Sequence, residues 1–224
     1  VRSSFDQREI QFWMMLPPDF DPALSYPMML QIHGGPWAAY GPQFAANNQL
    51  YAAAGYVVIY GNPRGSTGYG AEFAHAIDHD FPTRDYDDLM DMVDATLAMG
   101  FVDEDQLYVF GGSGGGTLTA WIVGKTNRFR AAAVINPVIN WVSLVLTSDV
   151  SKLAASDWFI DKPWDNPMDY WNHSPLALIG NVTTPTMLIN GEEDWRTPIS
   201  EAEQFYNALQ IEGVDTALIR VPGA

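Results

Sequence analysis

An α/β architecture, with a mostly parallel central sheet and helices on both faces, is expected from three features of the chain. Short apolar runs bounded by glycine, proline or polar turn residues recur along it, as the buried strands of a parallel sheet do. Stretches with apolar residues at helical spacing alternate with those runs, the pattern of repeated strand, helix and parallel strand. One strand is joined to one helix by the glycine-rich run Gly111-Gly112-Ser113-Gly114-Gly115-Gly116. At 224 residues, a single domain of this class accommodates the whole chain, 1–224.

Taken in order, residues 8–16 read as an edge strand of a hairpin, closed by Pro17-Pro18. Residues 26–32 form a short strand that leads into His33-Gly34-Gly35-Pro36. A helix over 47–55, ending near Gly55, precedes a buried strand at 56–60. Residues 62–70 are a glycine-rich loop whose Arg64 is placed to tie it to an acidic neighbour. A helix over 85–99 carries Leu89, Met92, Val93, Thr96 and Leu97 on its apolar face, and Asp87, Asp88 and Asp91 are expected on the wetter side. The strand 107–110, the glycine turn and a helix through 117–123 follow, then a strand at 129–134. Ligands in open parallel sheets bind beyond the carboxyl ends of strands, so Val138 and Trp141 are candidate pocket walls, with plain packing the alternative for Trp141. Residues 151–174 hold Trp158, Trp164 and Trp171 in broken contexts, too aromatic for a linker, and are expected to cover part of the fold. A strand at 186–190, a helix over 201–209 and a strand at 216–221 complete the series.

Composition removes several function classes. Lys and Arg number 11 against 27 Asp and Glu, a net charge of −16 that repels phosphate backbones and anionic lipid, so neither nucleic acid nor membrane is an expected partner. The longest uncharged stretch, 131–148, contains Asn136, Pro137 and Asn140, which are costly in a bilayer. Without cysteine there is no disulfide or thiolate metal site. His75, His79 and Asp80 lack the spacing of a zinc motif and read as surface residues, so no metal and no cofactor is expected. No basic and apolar leader opens the chain, and its last residues follow directly on a strand, so both ends are expected to be cut.

Candidate chemistry centres on Ser113. A serine at the apex of a glycine-crowded strand-to-helix turn is what a nucleophile elbow requires, because neighbouring backbone comes too close for side chains. A P-loop reading fails for want of Gly-Lys-Ser/Thr. In the α/β-hydrolase scheme one oxyanion donor comes from an HGG-type loop after an early strand, which makes the Gly35 N–H a candidate. The acid follows a late strand, where Asp194 is the choice and Glu192 and Glu193 are fallbacks. The order serine, acid, histidine then calls for a histidine after 216–221, yet His33, His75, His79 and His173 all precede Asp194.

With these residues in view, the chain resembles the catalytic domain of the prolyl oligopeptidase family, in particular its acylaminoacyl-peptidase-like branch. The motifs that carry the resemblance are His33-Gly34-Gly35-Pro36, the loop Asn62 through Gly70, Asp85-Tyr86-Asp87-Asp88-Leu89, the elbow, Ser174-Pro175-Leu176, and Gly191 through Pro198. The resemblance implies a serine peptidase of short peptides, with Ser113 as nucleophile, Asp194 orienting a histidine about two residues beyond Ala224, and Gly35 and Gly114 as oxyanion donors. Arg196 matches an arginine of acylaminoacyl peptidases that could hold a substrate carbonyl or terminal group, and a loop-stabilising salt bridge is its equal alternative. Many relatives have a bulky residue where this chain has Gly114, and relatives carry an N-terminal β-propeller of which no blade is legible here. An esterase of the same fold and an inert fragment without its histidine stand as alternatives, and a homo-oligomer is left open.

Overall fold

In the computed structural model, which describes residues 1–224, seven strands form one sheet in the order β1-β3-β2-β4-β5-β6-β7. They are β1 (Gln11–Met15), β2 (Tyr26–Ile32), β3 (Val57–Asn62), β4 (Val102–Gly112), β5 (Ala131–Ile135), β6 (Thr186–Gly191) and β7 (Thr216–Val221). Only β1 is antiparallel, and it pairs with β3 rather than with the strand that follows it. The expected hairpin is therefore corrected: β1 is an edge strand, but its partner is reached only after β2 and a helix. All other pairs are parallel.

The strand order places the site. From β2 the chain crosses to β3 on one side, and from β4 it crosses to β5 on the other, so the connections leaving these two neighbours diverge at their carboxyl ends. Such a divergence opens a crevice between the loops. Here the loops are the ones that carry Gly35 and Ser113.

Helices α3 (Asp85–Leu97), α4 (Gly114–Lys125) and α8 (Ile199–Ile211) supply one buried layer. Leu89, Met92, Val93, Leu118, Ile122, Phe205 and Leu209 join Leu30, Ile59, Val109, Val134 and Leu188 in the core. On the other face α1 (Ala46–Ala53) sets Tyr51 edge-on to Phe110 of β4, with ring centroids 5.3 Å apart. Strand alternation explains the split, since Leu107 and Val109 are buried while Tyr108 and Phe110, which alternate with them, are half-buried. No helix is long and apolar enough to cross a membrane.

Of the three aspartates expected on the wetter side of α3, Asp87 and Asp91 are partly exposed and Asp88 is not. Asp85 and Asp88 are fully buried. Asp88 takes hydrogen bonds from the Arg64 backbone N–H at 2.8 Å, from Nε at 2.9 Å and from Nη2 at 2.8 Å, which holds the 62–70 loop to α3. Asp6 adds a second acid to the same guanidinium at 3.2 Å. A charge this deep is tolerated because it is paired and fully hydrogen-bonded. The tie from Arg64 to an acidic neighbour is present, and its acid is the residue expected to be solvated.

Asp85 is the unpaired member. Its Oδ1 accepts from the Thr83 and Tyr86 N–H groups at 2.8 Å and 3.0 Å, and Oδ2 is buried without a partner. Burial pushes this carboxyl up to about 7, with the Asp88 charge acting in the same direction. Between the ordinary carboxylate value and that level the folded chain keeps a proton that the unfolded chain has released, so stability falls as pH rises through this window. Asp85→Asn stays neutral throughout, so its urea midpoint should gain on the wild type's between about pH 5 and about pH 8.

Candidate active site

Ser113 sits between β4 and α4 with φ 56° and ψ −121°, a left-handed conformation that costs a non-glycine residue about 1–3 kcal/mol. Two features hold it there. Its N–H donates to the Ile135 carbonyl at the end of β5 at 2.9 Å. The first turn of α4 lies hard against strand ends, so that a Cβ on Gly115 would stand 2.3 Å from the Ile32 carbonyl oxygen. Glycine is required at that position by close approach and not by dihedral angle.

The loop after β2 brings Gly35 to the same place. Its φ of 114° suits glycine, and its N–H donates to no backbone or side-chain acceptor of the protein. A Cβ added to Gly114 would lie 2.9 Å from the carbonyl carbon and oxygen of Gly35, so the two residues meet backbone to backbone. Gly114 opens α4, where the first-turn N–H groups have no partner within the helix and the dipole favours negative charge. Two free donors beside a strained serine suit an oxygen that acquires negative charge.

Asp194 lies on the loop after β6, and four donors hold its carboxylate. Oδ1 accepts from the backbone N–H of Arg196 at 2.8 Å and of Thr197 at 2.9 Å. Oδ2 accepts from the Thr197 hydroxyl at 3.1 Å and from Asn136 Nδ2. Burial pushes this carboxyl up, but the bonds from Thr197, Asn136 and Arg196 together outweigh it and leave the group below the usual carboxylate range. The acid is thus ionised at neutral pH and fixed in orientation. Glu192 instead pairs with Arg220 at 2.8 Å, at the surface.

A cavity of about 250 Å³ opens in front of Ser113. Gly35, Gly114, Val138, Trp141 and Arg196 all line it, and so do Trp37, Phe81 and Trp158. Trp158 stacks on Trp37 with centroids 4.5 Å apart and planes 19° apart, and it stands 6.0 Å from Trp141. Part of the 151–174 excursion therefore does cover the fold, through Leu153, Ala154 and Trp158, whereas Trp164 points to solvent. Arg196 borders the cavity and also pairs with Asp149, the salt bridge that stood as its alternative role. A larger apolar groove of about 480 Å³ lies on the sheet face between α1 and β7 and includes neither Ser113 nor Asp194.

None of the four histidines bonds to Ser113 or Asp194. His33 is buried, with its ring nitrogens on the Gly34 carbonyl at 2.7 Å and the Ser66 hydroxyl at 2.9 Å, and burial lowers its proton affinity. His75 and His79 are exposed, and His173 bonds the Asp169 carbonyl at 2.8 Å. Sequence reasoning missed Asn136 and Thr117. Thr117 accepts from the Val138 N–H at 3.0 Å and so fixes the pocket wall to α4. For Asn136 a signal existed in its residue type, because asparagine enters the left-handed region more readily than most residues, and its φ is 45°.

The contact between Gly114 and Gly35 generates a test. Gly114→Ala should destabilise the fold by about 1–3 kcal/mol through overpacking against backbone, read by urea unfolding. Gly180→Ala, whose added methyl meets nothing within 4 Å, should cost far less. Equal behaviour of the two variants would mean that the loop yields freely.

Residues 42–224 match the prolyl oligopeptidase family. The chain is 42% identical over 214 residues to the uncharacterized peptidase YuxL of Bacillus subtilis strain 168, covering 95% of this chain and 32% of that protein. It is 30% identical over 206 residues to acylamino-acid-releasing enzyme 1 of Oryza sativa subsp. japonica, covering 88% and 27%. Among solved structures, the uncomplexed acylaminoacyl peptidase of Pyrococcus horikoshii superposes with a TM-score of 0.89 at 29% identity, over 94% of this chain and 34% of that one. An acylaminoacyl peptidase in complex with Z-Gly-Gly-Phe-chloromethyl ketone gives 0.92 at 28% identity, over 96% and 35%. The chain thus spans about a third or less of the length of these relatives. Together with the elbow, the divergent strand order and the acid loop, the match makes this chain, with its α/β-hydrolase fold, a member of the prolyl oligopeptidase family.

Proposed function

We propose that the chain is the catalytic part of a serine peptidase that cleaves short peptides through an acyl-enzyme. The observation that carries the reading is the placement of three groups just past the carboxyl ends of β2, β4 and β6 of one sheet: the free Gly35 N–H beside Gly114, the strained Ser113, and the Asp194 carboxylate held by four donors. Ser113 Oγ attacks the scissile carbonyl, and the Gly35 and Gly114 N–H groups take up the developing oxyanion. Asp194 stays ionised and orients an imidazole that accepts the serine proton and returns it to the leaving amine.

That imidazole is assigned to a residue outside 1–224. Both ring nitrogens of His33 are engaged elsewhere, and none of the other histidines lines the cavity. In support, the Ala224 carbonyl accepts from the Glu193 N–H at 2.7 Å, which sets that residue one position from the acid. Relatives three times as long supply ample further chain.

The test uses the full-length protein and a fluorophosphonate probe, with intact-mass detection. One adduct per chain, abolished by Ser113→Ala, is expected, together with turnover of N-acyl peptide anilides. Labelling that persists in Ser113→Ala would overturn the assignment of the nucleophile. Cleavage of short acyl esters without any cleavage of anilides would overturn the peptidase reading in favour of an esterase.

A further inference from the structure

Arg196 is the only charged residue that lines the cavity in front of Ser113. Its charge is not free. Nε donates to Asp149 Oδ1 at 2.6 Å and Nη2 to Oδ2 at 3.3 Å, a two-point pairing of guanidinium and carboxylate. The backbone joins the same two segments, with the Asp149 N–H on the Trp195 carbonyl at 2.9 Å and the Ser148 hydroxyl on the Arg196 carbonyl at 2.7 Å. Four hydrogen bonds thus frame the pair, which distinguishes it from two long side chains that meet by chance at a surface. Nη1 donates to no protein group.

From this arrangement we propose that Asp149 is a specificity-determining, positioning residue: it holds Arg196 at the cavity rim and offsets its charge, so that the pocket favours neutral side chains over carboxylates. The inference rests on the peptidase reading and names its preference at the residue whose carbonyl Ser113 attacks. The geometry allows one guanidinium edge to face a substrate while the other is held by Asp149. Were the acid absent, a substrate carboxylate could take the whole fork and meet an uncompensated cation. The pair is solvent-exposed, 61% for the Arg196 side chain and 46% for Asp149, so its influence on a third charge is screened by salt.

The test compares kcat/KM for two isosteric substrates, N-acetyl-glutamyl and N-acetyl-glutaminyl anilides, using full-length wild type, Asp149→Asn and Asp149→Glu. In Asp149→Asn the ratio of the glutamyl to the glutaminyl value should rise about threefold to tenfold at low salt, mainly through KM, and fall back in about 0.5 M salt. Asp149→Glu restores the pairing and should return the wild-type ratio. An unchanged ratio in Asp149→Asn, or an equal loss on both substrates, would reduce Asp149 to a structural tie and overturn the inference alone. A full-length wild type that turns over neither anilide would overturn the peptidase reading and this inference with it.

Discussion

At the start of α4 backbone meets backbone: a Cβ on Gly115 would lie 2.3 Å from the Ile32 carbonyl oxygen, and one on Gly116 2.4 Å from that of Ile135. These are contacts with the ends of β2 and β5, the strands on either side of β4. The helix is therefore seated into the sheet and not merely laid on it. Ser113 cannot relax from its positive φ without lifting α4 off both strands, and α4 carries Leu118 and Ile122 into the core. The strain at one residue is thus offset by the packing of a whole element, which is how an unfavourable dihedral persists in a stable fold.

The acid is held by the same logic carried one strand further. The Asn136 N–H donates to the Ile189 carbonyl at 2.9 Å, so the turn after β5 is fastened to β6, and the Asn136 side chain then reaches Asp194 beyond that strand. Glu201 extends the chain of ties. It is buried at the start of α8 and accepts from the Ile139 and Asn140 N–H groups at 2.9 Å and 2.8 Å, which fixes the approach to Trp141. Ser113, Asp194 and Trp141 are therefore registered against one another through β5 and β6. A displacement at any one of them is felt at the others.

What could be read from the chain divides along sequence distance. Ser113 was legible because its cause is local: strand, glycines and helix stand within a few residues. Asp194 was legible from chain order, and the strands β2 and β7 from apolar runs with clear turn boundaries. Asn136, Thr117 and Asp149 act on partners 58, 21 and 47 residues away, and no local pattern marks such pairings. The aspartates of α3 show a subtler limit. Asp85, Asp88, Met92 and Thr96 follow the helical repeat of three and four, so the acids stand on the buried stripe, and their spacing already placed them there. Reading Asp88 as wet gave charge more weight than position, when a buried Arg64 was waiting to pair with it.

The cavity wall joins parts of the chain that share no sequence neighbourhood: Trp37 after β2, Phe81 before α3, Trp141 after β5 and Trp158 in the excursion. Their contact buries aromatic surface that each segment alone would expose, so the wall exists only when the crevice between β2 and β4 is assembled. The result is an apolar chamber within a chain of net charge −16. Exposed charges more than about 10 Å apart are largely screened at ordinary salt, so most of that acidity bears on the approach of a ligand and little on its seat. At the seat the near charges are Arg196, Asp149 and Asp194: Asp149 pairs with the Arg196 guanidinium, and Asp194 accepts from the Arg196 backbone N–H. On the proposed reading, selectivity for charge is then a property of these few groups and not of the acidic surface around them.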